Sequence, residues 1–141
     1  MSYDLIMTVA HDDIETVQLF KCDESTVYED NITWNVRPIF IACLGGQVSY
    51  YIGTTSQHTW RHMFKGKDDG TTGIYRLDGG YGYDMIELLP KALKYLRENS
   101  DAMKALNPKN GWGNVQTVDN FLVELLKASH LHPSAMVKIR N

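Results

Sequence analysis

The sequence predicts an α+β chain: a small antiparallel or mixed sheet built from N-terminal strands plus a C-terminal strand, covered by about three helices. Three observations carry this. The chain's first and last stretches (Tyr3, Leu5, Ile6, Met7, Val9; Ala135, Val137, Ile139) are patterned like strands. The stretches between residues 86 and 129 repeat their apolar residues at helical spacing. Strands at both ends with helices between them form a sheet covered on one face, and an unpaired edge invites aggregation, so the terminal strand is expected to pair with an N-terminal one.

A length of 141 residues fits one domain. A chain near this size buries roughly 70% of its unfolded surface. Apolar residues at 43% and charged residues at 22% are ordinary for a globular protein, and 11% aromatics argue against disorder. The net charge is −3 and no Lys/Arg cluster appears, so no nucleic-acid partner is expected. The charge is also too small for a DNA mimic. Cys22 and Cys43 stand far apart and outside any CxxC pair, which reads as free thiols in a reducing compartment. No apolar run approaches the ~18 residues of a membrane helix. Met-Ser-Tyr-Asp at the start lacks the basic region of a signal peptide. No membrane partner and a cytoplasmic location are expected.

In order along the chain, residues 1–10 predict a strand and His11-Asp12-Asp13 a turn. Val17, Leu19 and Val27 flank a polar Cys22–Ser25 turn, which predicts a hairpin whose second strand runs through Val27 towards Ile32. Asn35 is placed to N-cap a short helix with Pro38 in its first turn. Val36, Ile39, Phe40, Cys43 and Leu44 give that helix one buried face, and Gly45-Gly46 ends it. Nine of the eleven glycines lie between Gly45 and Gly82, marking a Gly-rich insertion at about 46–83 of the kind that is usually functional or mobile. Within it, Gln47–Ile52 suits a short strand and Thr59–Phe64 a helical turn. Asp84-x-x-Glu87 has the form of a capping box, with Ile86, Leu89, Leu93 and Leu96 on one face and Pro90 expected to kink the helix or shift its start. Ser100 is placed to cap a continuation over 101–106, and Thr117 the last helix. Val118, Phe121, Leu122, Leu125, Leu126 and Ser129 form that helix's core stripe.

Several residue groups invite a chemical reading. His58-x-x-x-His62 has metal-ligand spacing, but Thr59 stands where the metalloprotease pattern has Glu. His130-x-His132 falls at a helix C-terminus, where a protonated imidazole complements the dipole. Neither supports a metal, and no cofactor is expected. Gly79-Gly80-Tyr81-Gly82 precedes a helix N-terminus, an anion-cradle geometry with Tyr81 at its centre, although Asp78 and Asp84 would repel the anion. Asn31-x-Thr33-x-Asn35 points three small polar side chains one way if extended, which suits a polar ligand. In Asn107-Pro-Lys-Asn-Gly-Trp-Gly113, Pro108 stops a helix and Asn110-Gly111 favours a tight turn. Trp112 either plugs the gap between two helices or, with Asn110, walls a binding site. The ligand- or partner-binding candidates are therefore Asn31, Thr33, Asn35, Asn110, Trp112 and Tyr81, with no catalytic set.

The segments Asn31-Ile-Thr-Trp-Asn35, Asn107-Pro-Lys-Asn-Gly-Trp-Gly113, Phe121-Leu-x-x-Leu-Leu-x-Ala128 and His132-Pro-x-Ala135 resemble a family of small uncharacterised bacteriophage and prophage proteins, over about residues 27–140. Members of that family share an N-I-T-x-N segment and an N-P-x-N-G-W-G turn, and many join the first helix to the second by a short connection, unlike residues 46–83 here. The resemblance implies a phage context and the host bacterial cytoplasm, without implying a mechanism. The first expectation is a non-enzymatic accessory protein that antagonises host defence by binding a defence protein or a small nucleotide-like signal. A small enzyme acting on a nucleotide-like metabolite and a virion assembly protein are the alternatives, and a homo-oligomer is compatible with each.

Overall fold

Alternation in residues 2–10 buries Tyr3, Leu5 and Met7 and leaves Asp4 exposed, because successive strand residues face opposite sides of a sheet. Among the described residues, this strand, β1 (Ser2–Ala10), is the centre of a three-stranded antiparallel sheet in the order β2-β1-β3. The computed structural model describes residues 2–10, 24–44 and 73–140. The expected turn at 11–13, the hairpin arm around Val17 and Leu19, Cys22, the Gly45-Gly46 stop, the elements at 47–52 and 59–64, and His58/His62 lie outside the described residues.

Strand β2 (Glu24–Thr33) pairs with β1 from Ser2↔Thr33 to Ala10↔Glu24, with a register shift at Met7/Thr8. Strand β3 (Met136–Arg140) takes β1's other edge, from Asp4↔Arg140 to Thr8↔Met136. The sheet therefore joins strands from both ends of the sequence, as their patterning predicts.

After β2 comes a 3-10 turn (Trp34–Val36) and then α1 (Arg37–Cys43), whose inner face buries Ile39, Phe40 and Cys43. A second 3-10 turn, Gly73–Leu77, leads to α2 (Gly82–Glu98). The short α3 (Ser100–Lys104) and long α4 (Val115–Leu131) follow. The two long helices pack on each other and help form one apolar cluster over the sheet. Phe40 meets Phe121 edge to face at 5.7 Å, and Tyr3 meets Tyr75 likewise at 5.5 Å, a favoured aromatic geometry.

The helix starts differ from expectation. The α1 region is capped by Thr33, whose Oγ1 accepts the Asn35 N–H at 3.3 Å, so Asn35 sits inside the turn and is not its cap. Helix α2 begins at Gly82 rather than Asp84 or Pro90. The N–H groups of Gly82 and Tyr83 are already taken by the carbonyls of Ala135 (2.8 Å) and Pro133 (2.9 Å) on the approach to β3. Asp84 is then the third helical residue, and its carboxylate accepts the Tyr81 N–H at 2.8 Å. The buried stripe runs Met85, Leu88, Leu89, Ala92, Leu93, Leu96 and leaves Ile86 on its flank. Pro90 lies on the exposed face, where a carbonyl left unpaired can turn to water. Asn99, not Ser100, precedes α3. Asn114, not Thr117, caps α4: Asn114 Oδ1 accepts the Thr117 N–H at 3.0 Å, and Thr117 Oγ1 accepts the Asn114 N–H at 3.1 Å. This reciprocal pair satisfies two of the donors a helix start leaves unbonded.

Candidate functional site: a braced aromatic turn beside a polar cleft

The link between α3 and α4 is tied down along its length. Gly111 N–H donates to the Pro108 carbonyl at 3.3 Å and closes the turn. Asn110 Oδ1 accepts the Trp112 N–H at 3.0 Å, and Asn107 Oδ1 accepts the Val115 N–H at 3.0 Å. Gly113 has φ +89°, and a Cβ there would stand 2.7 Å from Val36 Cγ1 and 2.9 Å from Thr33 Cγ2. Only glycine lets the turn lie against the end of β2 in this way.

That approach brings two of the predicted stretches together. Asn110 Nδ2 donates to Asn35 Oδ1 at 3.4 Å, and Asn35 Nδ2 donates to Thr33 Oγ1 at 2.9 Å. Thr33, Asn35 and Asn110 thus form a chain of hydrogen bonds beneath the turn. Trp112 does not plug the gap between helices. It is 67% exposed, because its backbone is held from below while its indole faces outward.

Asn31 lies exposed two residues earlier on β2, opposite Asp4, with its N–H held by Asp30 Oδ1 at 2.8 Å. Tyr81 is elsewhere. It bridges Met136, which pairs with Thr8, whereas Thr33 pairs with Ser2 at the other end of the sheet. Six residues of β1 at ~3.3 Å each separate the two places by roughly 20 Å. The loop around Tyr81 is not an anion cradle. The N–H groups of Gly79, Gly80, Tyr81 and Gly82 go to Val137 O, Leu77 O, Asp84 Oδ2 and Ala135 O. The bonds to Val137 and Ala135 dock the loop against β3 and its approach, and all four use the donors an anion would need. Tyr81 stacks on Tyr83 with centroids 5.4 Å apart.

Beside the Trp112 turn, β2 and α4 enclose an open cleft of about 380 Å³. Asp30, Asn31 and Thr33 line one side, Thr117, Asn120 and Glu124 the other, and Phe121 and Ile32 contribute apolar surface. Asp30 shares Leu5's side of the sheet by register. Its carboxylate accepts the Tyr28 hydroxyl at 3.2 Å. The Tyr28 phenol is pushed well above its usual range, first by burial, then by the charge of Asp30 and its hydrogen bond, and last by Glu124. Both carboxylates therefore act on the same rim. Asn120 and Glu124 were not foreseen because nothing in the local sequence indicates that α4 crosses beside β2; their one-turn spacing was the available signal.

A second cleft, about 420 Å³, lies among α2, α3 and the start of α4. It includes Arg97, Ser100, Lys104, Asn107 and Asn114. Arg97 grips Asp119 there with two bonds of 2.9 and 3.0 Å. Among the described residues, no group of three or more His, Cys, Asp or Glu is placed to hold a metal ion. Nor is any helix among them long and apolar enough to cross a membrane. Together, fold and site define an α+β chain that displays a fixed aromatic turn beside a polar cleft. Comparisons with protein-family models, with curated proteins and with solved structures find no match to this chain.

Proposed function

We propose that this chain acts by binding rather than by catalysis: a phage-encoded accessory protein that works in the host bacterial cytoplasm and antagonises a host defence system by engaging one of its proteins. The observation that carries the binding role is Trp112, an exposed indole on a turn whose backbone is already fixed. Ordering a flexible side chain or loop at an interface opposes association, so a pre-set aromatic binds with less entropic loss. Tryptophan is also among the residues that most often dominate interface energetics. The phage context rests on the resemblance of the Asn31–Asn35 and Asn107–Gly113 segments to phage proteins.

The test is co-purification of the tagged chain from host extract, read by native mass spectrometry. The native chain is expected to retain a stoichiometric host protein, and Trp112→Ala to lose it by about tenfold or more. Because the indole is exposed, the same substitution should change stability by no more than about 0.5 kcal/mol. Equal retention by Trp112→Ala would sink this reading.

One observation favours a second reading, capture of a small nucleotide-like signal. Lys104 lines the 420 Å³ cleft and brings an ammonium that suits phosphate oxygens as a point charge, while Arg97 there is held by Asp119. A phosphorylated ligand carried through purification and lost in Lys104→Ala would support it.

A further inference from the structure

We infer that the cleft between β2 and α4 receives an arginine carried on an extended segment of the protein partner, and that this segment runs on to Trp112. The inference rests on the binding role proposed above and names the chemistry of what is bound.

Charge complementarity carries the argument. The cleft is lined by Asp30 and Glu124, and among the described residues no Lys or Arg lines it. The Thr33 and Thr117 hydroxyls and the Asn120 carboxamide oxygen are already engaged by Asn35, Asn114 and Gln116. The acceptors the cleft offers are therefore the two carboxylates, and a guanidinium matches them with five donors in a planar fork and accepts nothing. Asp30 is pre-set for this role: Oδ1 holds the Asn31 N–H at 2.8 Å and Oδ2 the Tyr28 hydroxyl at 3.2 Å. A carboxylate has about four acceptor positions in all, so capacity remains on the cleft side. Glu124 has a cation nearby, Lys127 at 3.2 Å, but that pair is on the surface with both side chains more than half exposed. Such pairs contribute little and exchange readily.

The cleft and the aromatic turn are continuous. Thr33 lines the cleft and also lies against Gly113, the residue after Trp112. Asp30, Asn31, Ile32 and Thr33 are consecutive, so the cleft follows the edge of β2 and accommodates an extended chain better than a compact molecule. At its end, Trp112 offers an open ring face, and a second basic side chain of the segment has a cation–π partner there.

The probe is an acetylated, amidated peptide of alternating Gly, Ser and Arg with two arginines, compared with a twin in which citrulline replaces arginine. Citrulline keeps the shape and removes the charge. Binding is followed by amide and indole chemical-shift changes in the labelled full chain. The arginine peptide is expected to shift Thr33, Thr117, Asn120 and the Trp112 indole together, and the citrulline peptide to shift none of them. Glu124→Gln should weaken the arginine peptide by about tenfold, and Asp30→Asn by at least as much. Glu98→Gln makes the same change in net charge on α2, where Glu98 faces Lys94 at 3.9 Å, and should weaken it by less than about twofold. Should Asp30→Asn disturb the fold, Glu124→Gln on the exposed face of α4 still decides. The inference is overturned if the peptide shifts no cleft residue, if citrulline binds as well as arginine, or if Glu98→Gln weakens binding as much as Glu124→Gln. A host protein lost by Trp112→Ala but kept by both cleft variants would leave the binding role standing and remove the arginine.

Discussion

Gly111 and Gly113 stand two residues apart, both at positive φ (77° and 89°), yet their surroundings differ. Among the described residues, a Cβ on Gly111 meets nothing within 4 Å, whereas one on Gly113 meets Val36 and Thr33 at under 3 Å. Gly111→Ala should therefore cost only the backbone term, about 1–2 kcal/mol. Gly113→Ala should cost more and also move the turn. Urea midpoints for both variants check the ordering, and loss of the Asn110–Asn35 contact checks the movement. Cys43 supplies a pH prediction. Burial pushes its thiol from 9.0 up to about 12, so the folded state keeps a proton that the unfolded chain gives up near pH 9. This contribution is whole below pH 9 and is lost as pH rises towards 12, at no more than about 1.4 kcal/mol per unit. The Tyr28 phenol, also raised, adds in the same sense above pH 10. Denaturation midpoints should fall between about pH 9 and 11, more shallowly in Cys43→Ala.

Among the elements, the start of α4 is specified most closely. Asn114→Ala removes the side-chain half of a reciprocal cap and should cost about 1 kcal/mol. Because Thr117 is its partner, the double variant should lose less than the sum of the two single ones, as a double-mutant cycle measures. Apolar spacing found the body of this helix, as it found β1, β2, α1 and β3, since each buries one face of a regular repeat. The starts of α2 and α4 were misplaced because Asp84 and Thr117 carry cap chemistry from the third helical position, where their side chains reach back to the N–H groups of Tyr81 and Asn114. The candidate site was legible in the same partial way. The sequence identified Thr33, Asn35, Asn110 and Trp112, and Asn35 and Asn110 do touch. It left Trp112 two places, plugging the gap between helices or walling a binding site with Asn110, because burial is the usual fate of an aromatic; the structure exposes it on a turn held by hydrogen bonds. Tyr81 belongs with β3 because its loop's N–H groups are used there.

For the whole molecule, β1 is the part on which the other layers depend. Leu5 is fully buried and pairs with Asp30 on one side and Ile139 on the other, while its side chain lies in the cluster that also holds the helices. Leu5→Ala should cost about 2–5 kcal/mol and be felt by sheet and helices together, as a single shared transition with a lowered midpoint in both circular dichroism and aromatic fluorescence.

The pairing of Asp4 with Arg140 also has a consequence for biosynthesis. At ~5–20 residues per second, translation leaves β1 without its second neighbour for on the order of ten seconds, until residues 136–140 emerge. During that interval a nascent strand edge faces the crowded surroundings of the ribosome, and contacts so distant in sequence slow folding. Holdase chaperones active at the ribosome are thus expected to influence the yield of this chain more than that of one whose strands pair only with their sequence neighbours.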